Sequence, residues 1–127
     1  YHTVALLEDG TVKAWGNNDR GQLGDGTTVN KSVPTLVPGL SNVKQIAAGS
    51  NHTVALLEDG TVKAWGDNYN GQLGDGTTVG KLVPTLVPGL SNVKQLVAGY
   101  YHTLALLKDG TVKAWGDNYN GQLQYIN

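Results

Sequence analysis

The stretch HTVALLEDGTVKAWG begins at His2, returns letter for letter at His52 and comes back with two changes at His102. Self-similarity of this kind decides an architecture before any single residue can, because each copy must build the same unit and bury the same surfaces. Aligning residue 1 with residues 51 and 101 gives a repeat of 50 residues, in which the first two copies agree at 41 of 50 positions. The third agrees with the second at 20 of its first 23 positions. The chain is two and a half copies of one unit.

Each copy reads as four short β-segments separated by turn residues. In the second copy, residues 53–57 and 61–65 are rich in β-branched and apolar residues and flank Glu58-Asp59-Gly60, a hairpin signal because glycine accepts the positive φ of a tight turn. The polar segment GDNYNGQLGDGTTVGKLVP follows, too rich in Gly, Asn and Asp for a helix. Residues 83–87 form a third strand that contains Pro84; proline lacks the N–H of an interior ladder, so this strand belongs at an edge. After Pro88-Gly89, NVKQLVAG supplies a fourth strand with small residues suited to close packing near an axis. A unit of this size cannot bury both faces by itself. Four strands per repeat suit a propeller blade better than the shorter coil of a β-solenoid.

Composition excludes several classes of function. Nine basic against ten acidic side chains leave a net charge of -1, which offers no general attraction to nucleic acid or anionic lipid. The absence of cysteine removes disulfides and thiolate metal sites. No apolar run exceeds about five residues, against the ~18 of a membrane-spanning helix, so membrane insertion is not expected.

The order AAGSNHTVALLEDGTVKAWGDNYNGQLGDGTT, followed by VPTLVPGL, resembles the repeat of the regulator of chromosome condensation family, with GxxHTxAL, WG and GQLG at fixed spacing throughout the chain. The resemblance implies an all-β propeller with four-stranded antiparallel blades. About two and a half blades fall in this chain: three strands in residues 1–40, a complete blade in 41–90, and a last blade in 91–127 lacking its outer strand. The chain opens at Tyr1, contains no methionine and ends on GQLQYIN, which departs from GQLG. It therefore reads as the C-terminal part of a larger propeller, with the remaining blades supplied by upstream sequence or by other chains.

The recurrent residues read as structural. His2, His52 and His102 recur once per blade, and blades stand roughly 10 Å apart, far beyond the ~2 Å of a zinc bond. A hydrogen-bonded His-Thr pair at a strand start is expected instead of a metal site. Trp15, Trp65 and Trp115 are expected to wedge between blades. Asp25 and Asp75 lie among glycines and raise the question of calcium, but a loop read from Asp67 has Tyr69 third, Gln72 sixth and no closing glutamate. No serine sits in a nucleophile-elbow pattern, so neither catalysis nor a cofactor is expected.

Positions at which the copies disagree are those the fold does not dictate. The first two copies differ at Tyr1/Asn51, Asn17/Asp67, Asp19/Tyr69, Arg20/Asn70, Asn30/Gly80, Ser32/Leu82, Ile46/Leu96, Ala47/Val97 and Ser50/Tyr100. Apart from the two apolar swaps, all are assigned to two connections, the one entering the first hairpin strand and the long one after tryptophan. In an up-and-down blade those connections emerge on one face, which also collects Tyr69, Tyr100, Tyr101 and Tyr119. Tyr and Asn loops on a rigid scaffold suit protein recognition, since tyrosine gives large contact area at low entropic cost. Asp19, Arg20, Tyr69, Asn70, Leu82, Tyr100, Tyr101, Tyr119 and Asn120 are the expected partner-binding residues.

The resemblance implies more than one function. One member type promotes nucleotide exchange on a nuclear-transport GTPase and docks on chromatin; the near-neutral charge and the lack of a basic arm argue against that here. Another is a secreted bacterial inhibitor that clamps β-lactamases through one propeller face, and the Tyr-rich loops are more similar to that arrangement. The expectation is a non-enzymatic protein-binding scaffold, extracellular or at a bacterial cell surface. The alternatives are a purely structural or engineered segment of a larger surface protein, and a sugar-binding propeller.

Overall fold

The computed structural model describes residues 2–116. Strands β1 (His2–Leu6), β2 (Val12–Gly16) and β3 (Lys31–Leu36) form the sheet of blade 1. Strands β4 (Val43–Ala48), β5 (His52–Leu57), β6 (Val62–Gly66) and β7 (Lys81–Leu86) form the four-stranded blade 2. Strands β8 (Val93–Ala98), β9 (His102–Leu107) and β10 (Val112–Gly116) form blade 3. Each strand pairs antiparallel with its sequence neighbour, so the blades are meanders and the described residues are all-β.

The strand carrying Pro34 or Pro84 is the outer edge of its sheet, where a missing N–H costs no ladder bond. That strand begins at Lys81 rather than Val83, because Lys81 pairs with Gly66 across a bulge. Leu82 therefore belongs to β7 and not to the connection before it, a correction to the sequence reading. Its carbonyl accepts the Gly26 N–H of blade 1 at 2.9 Å, which ties the edge strand to the neighbouring loop.

Both faces of blade 2 are buried, and strand alternation divides them. Along β5, Val54 and Leu56 join the core shared with blade 3, whereas Ala55 joins the core shared with blade 1. Along β6, Val62 and Ala64 face blade 3 and Trp65 faces blade 1. An HTVALL strand with almost no polar alternation is what a sheet sandwiched between two others requires. Burial of a large apolar side chain contributes ~1.5–3 kcal/mol. Stability therefore resides in the seams between blades more than in any one sheet.

The long connections after the Trp-Gly pairs, residues 17–30 and 67–80, emerge on the same rim as the inner turns at 49–51 and 99–101. The opposite rim carries the hairpin turns at 7–10 and 57–60 and the turns at 37–42 and 87–92. Contacts confirm the grouping. Asp67 N–H donates to Asn51 O at 2.9 Å on the first rim, and Glu58 N–H to Asn42 O at 2.9 Å on the second.

Candidate functional site

At each seam the recurrent residues make one relay. Thr53 Oγ1 donates to Gln22 O at 2.8 Å, so its proton is spent, and His2 Nε2 at 2.7 Å must donate to it. Trp65 Nε1 fills the second lone pair of the same carbonyl at 2.9 Å. The next seam repeats this with His52, Thr103, Gln72 and Trp115. The His-Thr pair thus crosses from one blade to the next. Nearer the axis, the Gln45 side chain donates to Leu96 O at 2.8 Å and accepts Leu96 N–H at 3.1 Å. Trp65 is fully buried, whereas Trp15, on the open side of blade 1, is only partly so.

Glycines in the motif make room for these side chains. A Cβ on Gly24 would stand 2.7 Å from Trp65 Nε1, and one on Gly74 would stand 2.6 Å from Trp115 Nε1. A Cβ on Gly49 or Gly99 would collide with the His52 or His102 ring, which explains the GxxH spacing. Nδ1 of His2, His52 and His102 lies buried without a hydrogen-bond partner among the described residues, and in His2 and His52, whose Nε2 donates, it carries the lone pair. In His2 and His52 the backbone of Ser50 and of His102, respectively, offsets desolvation only in part. Burial accordingly lowers the His52 pKa from 6.5 to about 4, with repulsion from His2 and His102 adding to it, and burial lowers His2 to about 4 as well.

The long loops are held from inside. Asn18, fully buried, donates from its amide to Asp25 Oδ1 and to the carbonyls of Thr27 and Val29 at 2.9–3.2 Å, while its oxygen accepts Leu23 N–H. Asn68 does the same in blade 2. Asp25 also pairs with Lys31 at 3.0 Å, and Asp75 with Lys81 at 3.0 Å. Burial opposes ionisation of Asp25, but hydrogen bonds from Thr27, Lys31 and Asn18 outweigh it and hold the carboxyl at about 2; Asp75 is lowered for the equivalent reasons. The carboxylates that raised the calcium question are engaged by lysine, threonine and asparagine.

The remaining sequence-selected residues lie on the rim above these anchors. Asp19, Arg20, Tyr69 and Leu82 come together around one cavity of ≈ 280 Å³ between the long loops of blades 1 and 2, completed by Thr28, Asp67, Thr78 and Gly80. Six of these eight occupy positions at which the first two copies differ, and only the threonines are common to both. Asp67 and Gly80 were identifiable from that difference. Leu82 forms an apolar wall, packed so closely on Gly21 that a Cβ there would collide with Leu82 Cδ2. Asn70 does not line the cavity; its N–H donates to Gln72 Oε1 at 2.9 Å. Tyr100 and Tyr101 form a separate edge-to-face pair, ring centroids 6.4 Å apart, with Tyr69 80% and Tyr100 68% exposed. Tyr119 and Asn120 lie outside the described residues.

Antiparallel meander blades joined by a repeated Trp, His-Thr and Gln seam define the class as a β-propeller built from tandem repeats. The model of the regulator of chromosome condensation (RCC1) repeat matches residues 9–56 and 59–106, and a second model of that repeat matches 43–72 and 93–122. The chain belongs to the RCC1 repeat family. It is 43% identical to protein pim1 of Schizosaccharomyces pombe over 40% of this chain and 12% of that protein. It is 48% identical to the human E3 ubiquitin-protein ligase HERC2 over 39% of this chain and 1% of that protein. Among solved structures, yeast RCC1 (Prp20) bound to Kap60 superposes with a TM-score of 0.75 at 34% identity, covering 91% of this chain and 27% of that one. Human WBSCR16 superposes with a TM-score of 0.83 at 27% identity, covering 99% and 34%. The chain spans about a third or less of each of these proteins.

Proposed function

We propose that this chain is part of a non-enzymatic binding scaffold that presents the variable rim, with Asp19, Arg20, Tyr69, Leu82, Tyr100 and Tyr101, to a protein partner. One observation carries the reading: six of the eight residues around the seam cavity stand where the copies differ, while the His-Thr-carbonyl-Trp relay beneath them repeats in both seams. Drift without selection would scatter such differences over every exposed turn. The opposite rim, equally exposed, holds identical turn sequences in the first two copies. Relatives of the family with protein partners, such as yeast RCC1 (Prp20) with Kap60, lend support at the level of the fold. The same proposal places the protein outside the cell or at a bacterial surface, on the strength of the near-identity of its copies.

The test compares proteins captured from the source organism by the wild-type chain, by Tyr69→Ala/Tyr100→Ala, and by Glu8→Ala/Glu58→Ala in the hairpin turns of the opposite rim. Loss of specific partners only with the tyrosine variant is the expected result. A capture list unchanged by the tyrosine variant refutes the reading in favour of a structural spacer, and glycan-array binding that depends on the same tyrosines refutes it in favour of a lectin.

A further inference from the structure

The charges of the variable rim fall into two groups. Those common to the first two copies are neutralised within the loop, as Asp25–Lys31 and Asp75–Lys81, each at 3.0 Å. Those at differing positions, Asp19, Arg20 and Asp67, surround the seam cavity and make no ion pair among the described residues.

Asp67 is informative. In blade 1 Asn17 Oδ1 accepts the Asp19 N–H at 3.0 Å, and in blade 2 Asp67 Oδ1 accepts the Tyr69 N–H at 3.2 Å. Asp67 Oδ2 also accepts the Gln72 amide at 3.3 Å, where in blade 1 the Gln22 amide reaches Asn51 Oδ1 instead; an amide closes the turn itself equally well, so the turn does not require the charge that Asp67 adds. The adjoining differences shape the space beside that charge. Gly80 stands where blade 1 has Asn30, Leu82 supplies an apolar wall in place of Ser32, and the Tyr69 ring is free.

Resting on the reading of this rim as a partner-binding face, we infer that the seam cavity receives a basic side chain of the partner, arginine in preference to lysine. Leu82 and Tyr69 accept the aliphatic stem, the Tyr69 ring face accepts the cation, and the Asp19 and Asp67 carboxylates accept its N–H groups. A planar guanidinium satisfies both the ring and the carboxylates, whereas an ammonium offers only a point charge. Arg20, on the same lip, opposes the incoming cation and sets the affinity lower than the carboxylates alone would.

Capped arginine, capped lysine and capped glutamate, titrated separately into the ¹⁵N-labelled 127-residue chain, provide the test. Capped arginine is expected to shift the amides of residues 19–20, 67–69 and 78–82 with saturation in the millimolar range, capped lysine to bind more weakly, and capped glutamate to leave those amides in place. Asp67→Asn, which keeps the turn bond as Asn17 does, should weaken arginine binding at least threefold, and Arg20→Ala should strengthen it at least twofold. Absence of shifts at those amides, equal shifts with glutamate, or weaker binding in Arg20→Ala overturns the assignment. Partner capture that survives Asp19→Asn/Asp67→Asn but is lost in Tyr100→Ala would overturn the arginine pocket while leaving the binding rim intact.

Discussion

Acid should loosen the seams between blades before it affects the rest of the molecule. His52 is fully buried, its Nε2 committed to Thr103 and its Nδ1 without a partner, and burial lowers its pKa from 6.5 to about 4. Between those values the unfolded chain binds a proton that the folded chain refuses. Stability from this group is therefore complete above pH 6.5 and falls as the pH drops toward 4. At 1.36 kcal/mol per unit, the loss over that window is about 3 kcal/mol for His52. His2, only half-buried at the seam it shares with Thr53, adds a smaller amount of the same sign. The aspartates with lowered pKa values act elsewhere. Asp25, held at about 2 against a model-compound value of 3.8, sustains stability above 3.8 and loses it only below, so it leaves the histidine window clear. Urea unfolding followed by tryptophan fluorescence at pH 7, 6, 5 and 4 should show a falling midpoint. His52→Gln should flatten that dependence while lowering stability at pH 7. A midpoint independent of pH between 7 and 4, or a slope unchanged in His52→Gln, would refute the assignment of a neutral buried imidazole.

Two further outcomes test the seam. Gly74→Ala and Gly76→Ala both force alanine into positive φ, of 72° and 82°, but only the first places a Cβ against Trp115 while the second meets nothing within 4 Å. Gly76→Ala should cost about 1 kcal/mol and Gly74→Ala at least about 2 kcal/mol more in chemical denaturation, with a shift in tryptophan emission only for the latter; equal costs would exclude the socket. Thr53→Val, nearly isosteric, removes the hydroxyl that links His2 to the Gln22 carbonyl and should destabilise by about 1–3 kcal/mol. Thr28→Val on the exposed rim should be neutral in the same assay.

Much of this architecture was legible because repetition multiplies each local signal. The Asp-Gly hairpin, the edge proline and the apolar run of β5 each appear more than once, and each corresponds to a turn, an outer strand and a doubly buried strand. The His-Thr relay was legible only as chemistry. His52-Thr53 and His102-Thr103 are spelled identically, so bonding within a blade and bonding across a seam leave the same letters, and only the stacking of blades shows that His52 reaches Thr103. The cavity was hidden for a related reason. Arg20 and Leu82 lie far apart along the chain, and their meeting depends on the angle between two blades rather than on any local pattern. Asp67 carried a signal, but an Asn-to-Asp change looks conservative where both residues close the same turn.

The freedom of the rim follows from how the seams are built. The central acceptors are main-chain carbonyls of Gln22 and Gln72, and the loops are braced from within by buried Asn18 and Asn68. Neither device uses side chains at positions 19, 20, 69 or 70, so these can change without disturbing a seam. Other differing positions do take part: Asn30 Oδ1 accepts the Asn18 N–H, Asn51 Oδ1 accepts the Gln22 amide, and position 82 serves the inter-blade bond to Gly26 through its carbonyl while its side chain shapes the cavity. Because a backbone carbonyl survives any substitution, even position 82 can alter the cavity and keep the junction. A repeat that fastens its blades through main-chain acceptors can diversify one face at little cost in stability, and that asymmetry favours recognition on the rim of the long loops rather than on the rim of the hairpin turns.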